Sequence, residues 1–154
     1  MDNEIKYYEE LKDISIKGAR DFLPRYSYMQ NRTFNKKGLF SIFKKTDYSS
    51  LIGHGEMLRD ELSQVQEKLE KIMFKGTEID EQVAIVFISF FTNLKAALTI
   101  LIQINERQYL KAKKQKEFSD KDYNDMVNYY LRFDELRDNT QKAMSDVIRN
   151  MFAA

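Results

Sequence analysis

The sequence predicts an all-α fold: an antiparallel four-helix bundle with long second, third and fourth helices and an irregular basic-aromatic segment between helices one and two. Composition is the first reason. The 154 residues include one Pro and five Gly, too few for the many turns of a β architecture. A helical period in the apolar residues is the second, sustained for three to four heptads in two separate stretches. The third is that the link between the last two periodic stretches is short, which makes consecutive helices antiparallel neighbours. A chain of this length is expected to be a single helical-bundle domain, residues 1–154, long enough to bury a real core.

The first helix is predicted over about residues 3–23, with Ile5, Tyr8, Leu11, Ile14, Ala19 and Phe22 on one face and Glu9, Glu10, Asp13, Lys17 and Arg20 on the other. Pro24 is expected to end or kink it, because Pro lacks a donor and disfavours α geometry at Leu23. Residues 25–31 continue as a short helical piece. The pattern then breaks over about 33–49, where Gly38 marks a turn and a helical turn fits residues 39–43.

The second helix is predicted over about residues 50–75 on the seam Leu58, Leu62, Val65, Leu69 and Ile72. Gly76 sits where a C-terminal cap belongs. Gly53 and Gly55 weaken its first turn, which is expected to be irregular. Thr77-Glu78-Ile79-Asp80 starts the third helix, which runs to about Lys114. After a link at residues 115–118, Ser119 starts a fourth helix reaching about Met151. Its seam is expected to be Met126, Tyr129, Phe133, Leu136, Thr140, Ala143 and Val147.

The stretch from Val83 to Ile104 contains 22 residues with no acid and Lys95 as its only charge, long enough to span a bilayer. Lys95 mid-segment would cost roughly 2.5–3.5 kcal/mol in lipid. The polar residues Thr92, Asn93, Lys95, Thr99 and Gln103 also gather on one side, a two-faced pattern that suits a soluble core better than lipid. The helix is therefore expected at the centre of a cytoplasmic bundle. Its polar stripe is nearly uncharged, so a second segment or subunit is expected to cover it, with Ile85, Ile88, Thr92 and Ile100 as interface candidates.

Several chemistries are excluded or unsupported. With no Cys there are no disulfides, thiolate metal sites or thiol nucleophiles. The lone histidine, His54, lies between two glycines with no Glu three residues before it, so a carboxylate-bridged dimetal site lacks its motif. No nucleotide-binding glycine pattern or nucleophile elbow occurs. Lys95 reads as the edge of the polar stripe with its head reaching water. The N-terminal MDNEIKYYEELKD is neither a secretory signal nor a transit peptide. No catalytic residue, metal or cofactor is expected.

A net charge of +1 gives no global pull toward nucleic acid. Residues 25–46 nonetheless hold six positive charges, five aromatics and no acid. Arg25, Arg32, Lys36, Lys37, Phe40, Phe43, Lys44 and Lys45 are its candidate partner-binding residues. The function expected is non-enzymatic protein–protein interaction, as an adaptor, regulator or assembly component, with homodimerisation through a helix seam as one form. The alternative is binding of an anionic membrane surface or single-stranded nucleic acid through residues 25–46.

Overall fold

The computed structural model describes residues 2–34, 47–74 and 81–152. They form an antiparallel four-helix bundle. The elements are α1 (Asp2–Lys17), a π turn (Gly18–Phe22), α2 (Leu23–Phe34), α3 (Tyr48–Phe74), α4 (Glu81–Ala112) and α5 (Asp120–Phe152). The first three run on without a break and count as one bent helix. The expected turn at residues 39–43, the Gly76 cap and the start signal at 77–80 lie outside the described residues.

Pro24 does not end the first helix. In a regular α-helix its ring would press on the Arg20 carbonyl, four residues back, and leave that carbonyl without a donor. The chain widens instead into a π turn, in which the Leu23 N–H donates to the Gly18 carbonyl, five residues away. This turn rests on α4. A Cβ on Gly18 would lie 3.6 Å from Phe90 and Phe91, and Phe22 meets Phe91 edge-on at 6.3 Å.

α4 lies at the centre, as its composition requires. Phe87, Phe90, Phe91, Leu94, Ala97, Leu98, Leu101, Ile102 and Ile104 are all buried, between α3 on one side and α5 on the other, with α2 also against it. Fully burying each large apolar side chain contributes roughly 1.5–3 kcal/mol. From Ala97 to Ile104 α4 is apolar on most sides, which fits a helix wrapped by neighbours.

The expected seam of α3 is the one it uses: Leu58, Leu62, Val65, Leu69 and Ile72 are buried. Its start is regular rather than irregular. Asp47 caps it, accepting from the Ser50 N–H at 3.0 Å, while its carbonyl takes the Leu51 N–H at 3.2 Å. The two glycines there differ in role. A Cβ at Gly55 would come within 2.6 Å of Ile102 and 3.0 Å of Met29, so hydrogen is what lets α3, α4 and α2 converge. A Cβ at Gly53 would meet nothing within 4 Å.

α4 ends in a reciprocal pair of bonds, with Gln115 N–H to the Leu110 carbonyl at 2.9 Å and Lys114 N–H to the Lys111 carbonyl at 3.0 Å. Lys114 sits at φ 56°, a left-handed position that suits glycine. Ser119 then caps α5 by accepting the Asp122 N–H at 3.1 Å.

Two results follow for chemical denaturation. Gly55→Ala should lower unfolding free energy by roughly 1–3 kcal/mol through overpacking, whereas Gly53→Ala should raise it by roughly 0.5–1 kcal/mol through helix propensity; equal effects would contradict the convergence at Gly55. Lys114→Gly should stabilise by about 1 kcal/mol through relief of the left-handed strain, and a neutral or destabilising result would contradict that cap.

Candidate functional site

α5 carries two interleaved heptad seams. One is apolar: Tyr129, Phe133, Leu136, Thr140, Ala143 and Val147. The other, one residue on, is Tyr130, Asp134, Arg137, Gln141, Met144 and Ile148. One residue along a helix is a rotation of about 100°, so only one seam can point at the core. The expected apolar seam is not the one turned inward. Tyr130 and Met144 are 0% and 3% exposed, whereas Tyr129 and Leu136 are 54% and 47% exposed. Met126, Phe133 and Val147 still touch the core from the edge of the stripe, and Ala143 is exposed.

A polar cluster between α2 and α5 makes this choice possible. The Tyr26 hydroxyl donates to Asp134 Oδ1 at 2.6 Å. A tyrosine has one hydroxyl proton, so the 2.7 Å bond between Tyr26 and Tyr130 has Tyr130 as donor. Arg137 adds Nε and Nη2 to the same carboxylate oxygen at 3.1 and 2.9 Å, and Gln30 reaches the other oxygen at 3.5 Å. Arg137 Nη1 donates to Gln141, and its guanidinium lies 5.4 Å from the Tyr26 ring centre. The charged pair is mostly withdrawn from water, with side-chain exposures of 14% and 19%.

Burial is the main force raising the Tyr26 pKa, with Tyr130 and Asp134 adding to it. Burial also raises that of Tyr130, only partly offset by its bond to Tyr26. For Arg137 burial opposes the charge, but the bond and attraction to Asp134 win, and its pKa rises. Each polar group thus finds a partner, as a buried network requires.

α2 has two further polar ties. Asn105 on α4, almost fully buried, donates to the Thr33 hydroxyl at 3.0 Å and to the Leu101 carbonyl at 2.8 Å. Arg25 pairs with Glu61 on α3 and with Asp21 at 3.4 Å, and its pKa is raised, by the Glu61 bond above all.

The residues singled out by sequence are dispersed. Arg25 is spent on holding α2 to α3. Arg32 is exposed and lies over Tyr28, 5.6 Å from its ring centre. Lys36, Lys37, Phe40, Phe43, Lys44 and Lys45 lie outside the described residues. Of the four candidates on α4, Ile85 is exposed and Ile88 half-buried against the core. Thr92 is exposed and accepts from Gln66 of α3 at 3.2 Å, and Ile100 is buried. They form no single open face. His54 is exposed and meets Tyr28 edge-on at 5.8 Å, and Lys95 is half-buried. α4 is long and apolar enough to cross a membrane, and half of its most apolar stretch is buried inside the bundle. Among the described residues no group of three or more His, Asp or Glu is placed to hold a metal ion.

Among the described residues, large apolar side chains are exposed singly on α2, α3 and α4 (Tyr28, Met57 and Ile85), whereas Tyr129 and Leu136 are exposed at heptad spacing on one seam of α5, the outer one. Tyr129 meets Phe133 edge-on at 5.1 Å, and Leu136 follows one turn on. The chain matches no known protein family, curated protein or solved structure.

Both phenols keep their protons in the fold above the ordinary value of about 10, while the unfolded chain releases them there. Their contribution is complete below that pH and is lost as pH rises through the raised folded values. Tyr26→Phe should cost about 1.5–3 kcal/mol at neutral pH, the worth of a bond to a charged group. Between about pH 10 and 12 its stability should fall less steeply than wild type, by about 1.4 kcal/mol per pH unit. Parallel profiles in pH-dependent urea unfolding would contradict the assignment.

Proposed function

We propose that this chain is a non-enzymatic protein–protein interaction module whose contact face is the outer seam of α5. The supporting observation is that Tyr129, Leu136 and Ala143 of a heptad-spaced stripe are exposed, with Phe133 and Thr140 half-buried between them, beside a bundle whose deepest packing uses the next seam round. Heptad spacing is what a second helix recognises. An aromatic pair with a leucine provides the kind of apolar anchor on which such contacts depend. An adaptor or assembly component of the cytoplasm fits this reading.

A second reading is favoured by the bundle's end at the α4–α5 turn. Lys111, Lys113, Lys114 and Lys116 are all exposed there, three of them lining an open cleft with Phe118 and Ser119. Positive charge thus gathers at this turn, as binding to an anionic membrane or single-stranded nucleic acid would need, and the basic 25–46 run of the sequence would add to it. Replacing Lys36, Lys37, Lys44 and Lys45 by Ala should then abolish salt-sensitive binding to anionic vesicles or oligonucleotides; wild-type chain that binds neither at low salt would remove this reading.

For the first reading, Leu136→Lys should leave the thermal melt of the dilute chain within about 0.5 kcal/mol of wild type, as at an ordinary surface site. Met144→Lys, on the inner seam, should unfold it. A large loss of stability from Leu136→Lys would mean that the outer seam belongs to the bundle's own packing, and would overturn the reading.

A further inference from the structure

We infer that the outer seam of α5 pairs with the same seam of a second copy of this chain, antiparallel, about a two-fold axis near residues 138 and 139. This rests on the reading of that seam as an interaction face and names its occupant.

The seam is self-complementary in size in one antiparallel register. Placing the axis beside Asp138 sets Tyr129 against Val147 of the other copy, Phe133 against Ala143, and Leu136 against Thr140. Every layer then joins a larger side chain to a smaller one, so the aromatics project into space that small residues leave. All six positions find a counterpart, which is the condition for a closed two-fold contact. In a parallel pairing each residue would face its own copy: aromatics would crowd at Tyr129 and Phe133, and Ala143 would leave a gap.

Charge complementarity selects the same register. On the flank facing away from the core, Arg132 falls opposite Asp146 of the other copy, and the symmetry repeats the pair. Arg132 makes no ion pair among the described residues. Asp146 is held only by Arg149 at 3.8 Å, with both side chains about seven-tenths exposed, so that bond is readily exchanged. Asn139 meets Asn139 at the axis and places no like charges there. On the opposite flank lie Tyr130, Arg137 and Met144, already engaged within their own bundle, so Tyr129, Leu136 and Ala143 stay open to a second helix, with Phe133, Thr140 and Val147 half-buried at the edge of the contact.

Residues 129–147 span about 27 Å of helix. A contact of that length lies at the small end of specific interfaces, so it should dissociate on dilution through the micromolar range.

Sedimentation equilibrium of the full chain over that range tests the pairing. The wild-type mass should rise toward twice the monomer value. Arg132→Asp and Asp146→Arg should each weaken association roughly tenfold, because each puts like charges together twice. The two substitutions in one chain should restore it. The chain has no Cys, so Asn139→Cys should give a single disulfide-linked dimer on mild oxidation. Wild type that stays monomeric throughout overturns the self-pairing, as does a dimer that the charge exchange fails to rescue. The interaction face itself fails separately, in the Leu136→Lys melt, which reads the isolated chain.

Discussion

The Tyr130–Tyr26–Asp134–Arg137 network sets the rotation of α5, and the exposed face of the molecule follows from that rotation. Hydrophobicity alone would turn the Tyr129–Phe133–Leu136 seam toward α4. Turning the polar seam in instead requires that a carboxylate, a guanidinium and two phenols be withdrawn from water, which is costly unless each is bonded. Two long-range partners from α2, Tyr26 and Gln30, supply the missing bonds. With them in place the polar seam is tolerated inside, and Tyr129, Leu136 and Ala143 of the apolar seam are left outside.

The same network explains why α2 is needed at all. α4 packs most extensively on α3 and α5. α2 crosses this arrangement and is fixed to each neighbour by a different polar contact: Arg25 to Glu61 on α3, Thr33 to Asn105 on α4, and Tyr26 to Asp134 on α5. Apolar packing can slide with little loss, whereas these bonds each specify one register. The π turn that absorbs Pro24 and the missing Cβ of Gly55 are local adjustments that let α2 approach closely enough to make them.

The helices and most of their ends were legible in the sequence, because period and caps such as Ser119 are local signals, whereas Gly53 and Gly55 suggested an irregular start to α3 that the helix does not have. The seam of α3 and the central place of α4 were legible for the same reason. The choice of seam on α5 was not. Both seams have heptad spacing, and what decides between them is a set of bonds across more than a hundred residues of sequence, from Tyr26 to Tyr130 and Asp134. The basic-aromatic run at 25–46 drew attention by its charge, yet its Arg25 is part of the scaffold. Ile100 had the look of an interface residue only because its burial in the core is not visible in local pattern. The candidate face was thus visible as a seam, and its exposure was not.

Because the chain has no cysteine of its own, the orientation of α5 can be read by thiol labelling of single-cysteine variants in the native, dilute chain. Cysteines at positions 129, 136 and 143 should label at rates near those of a free thiol, and those at 130, 137 and 144 should be strongly protected. The opposite pattern, with 129, 136 and 143 protected, would show that the apolar seam faces the core and that the polar network does not set the helix.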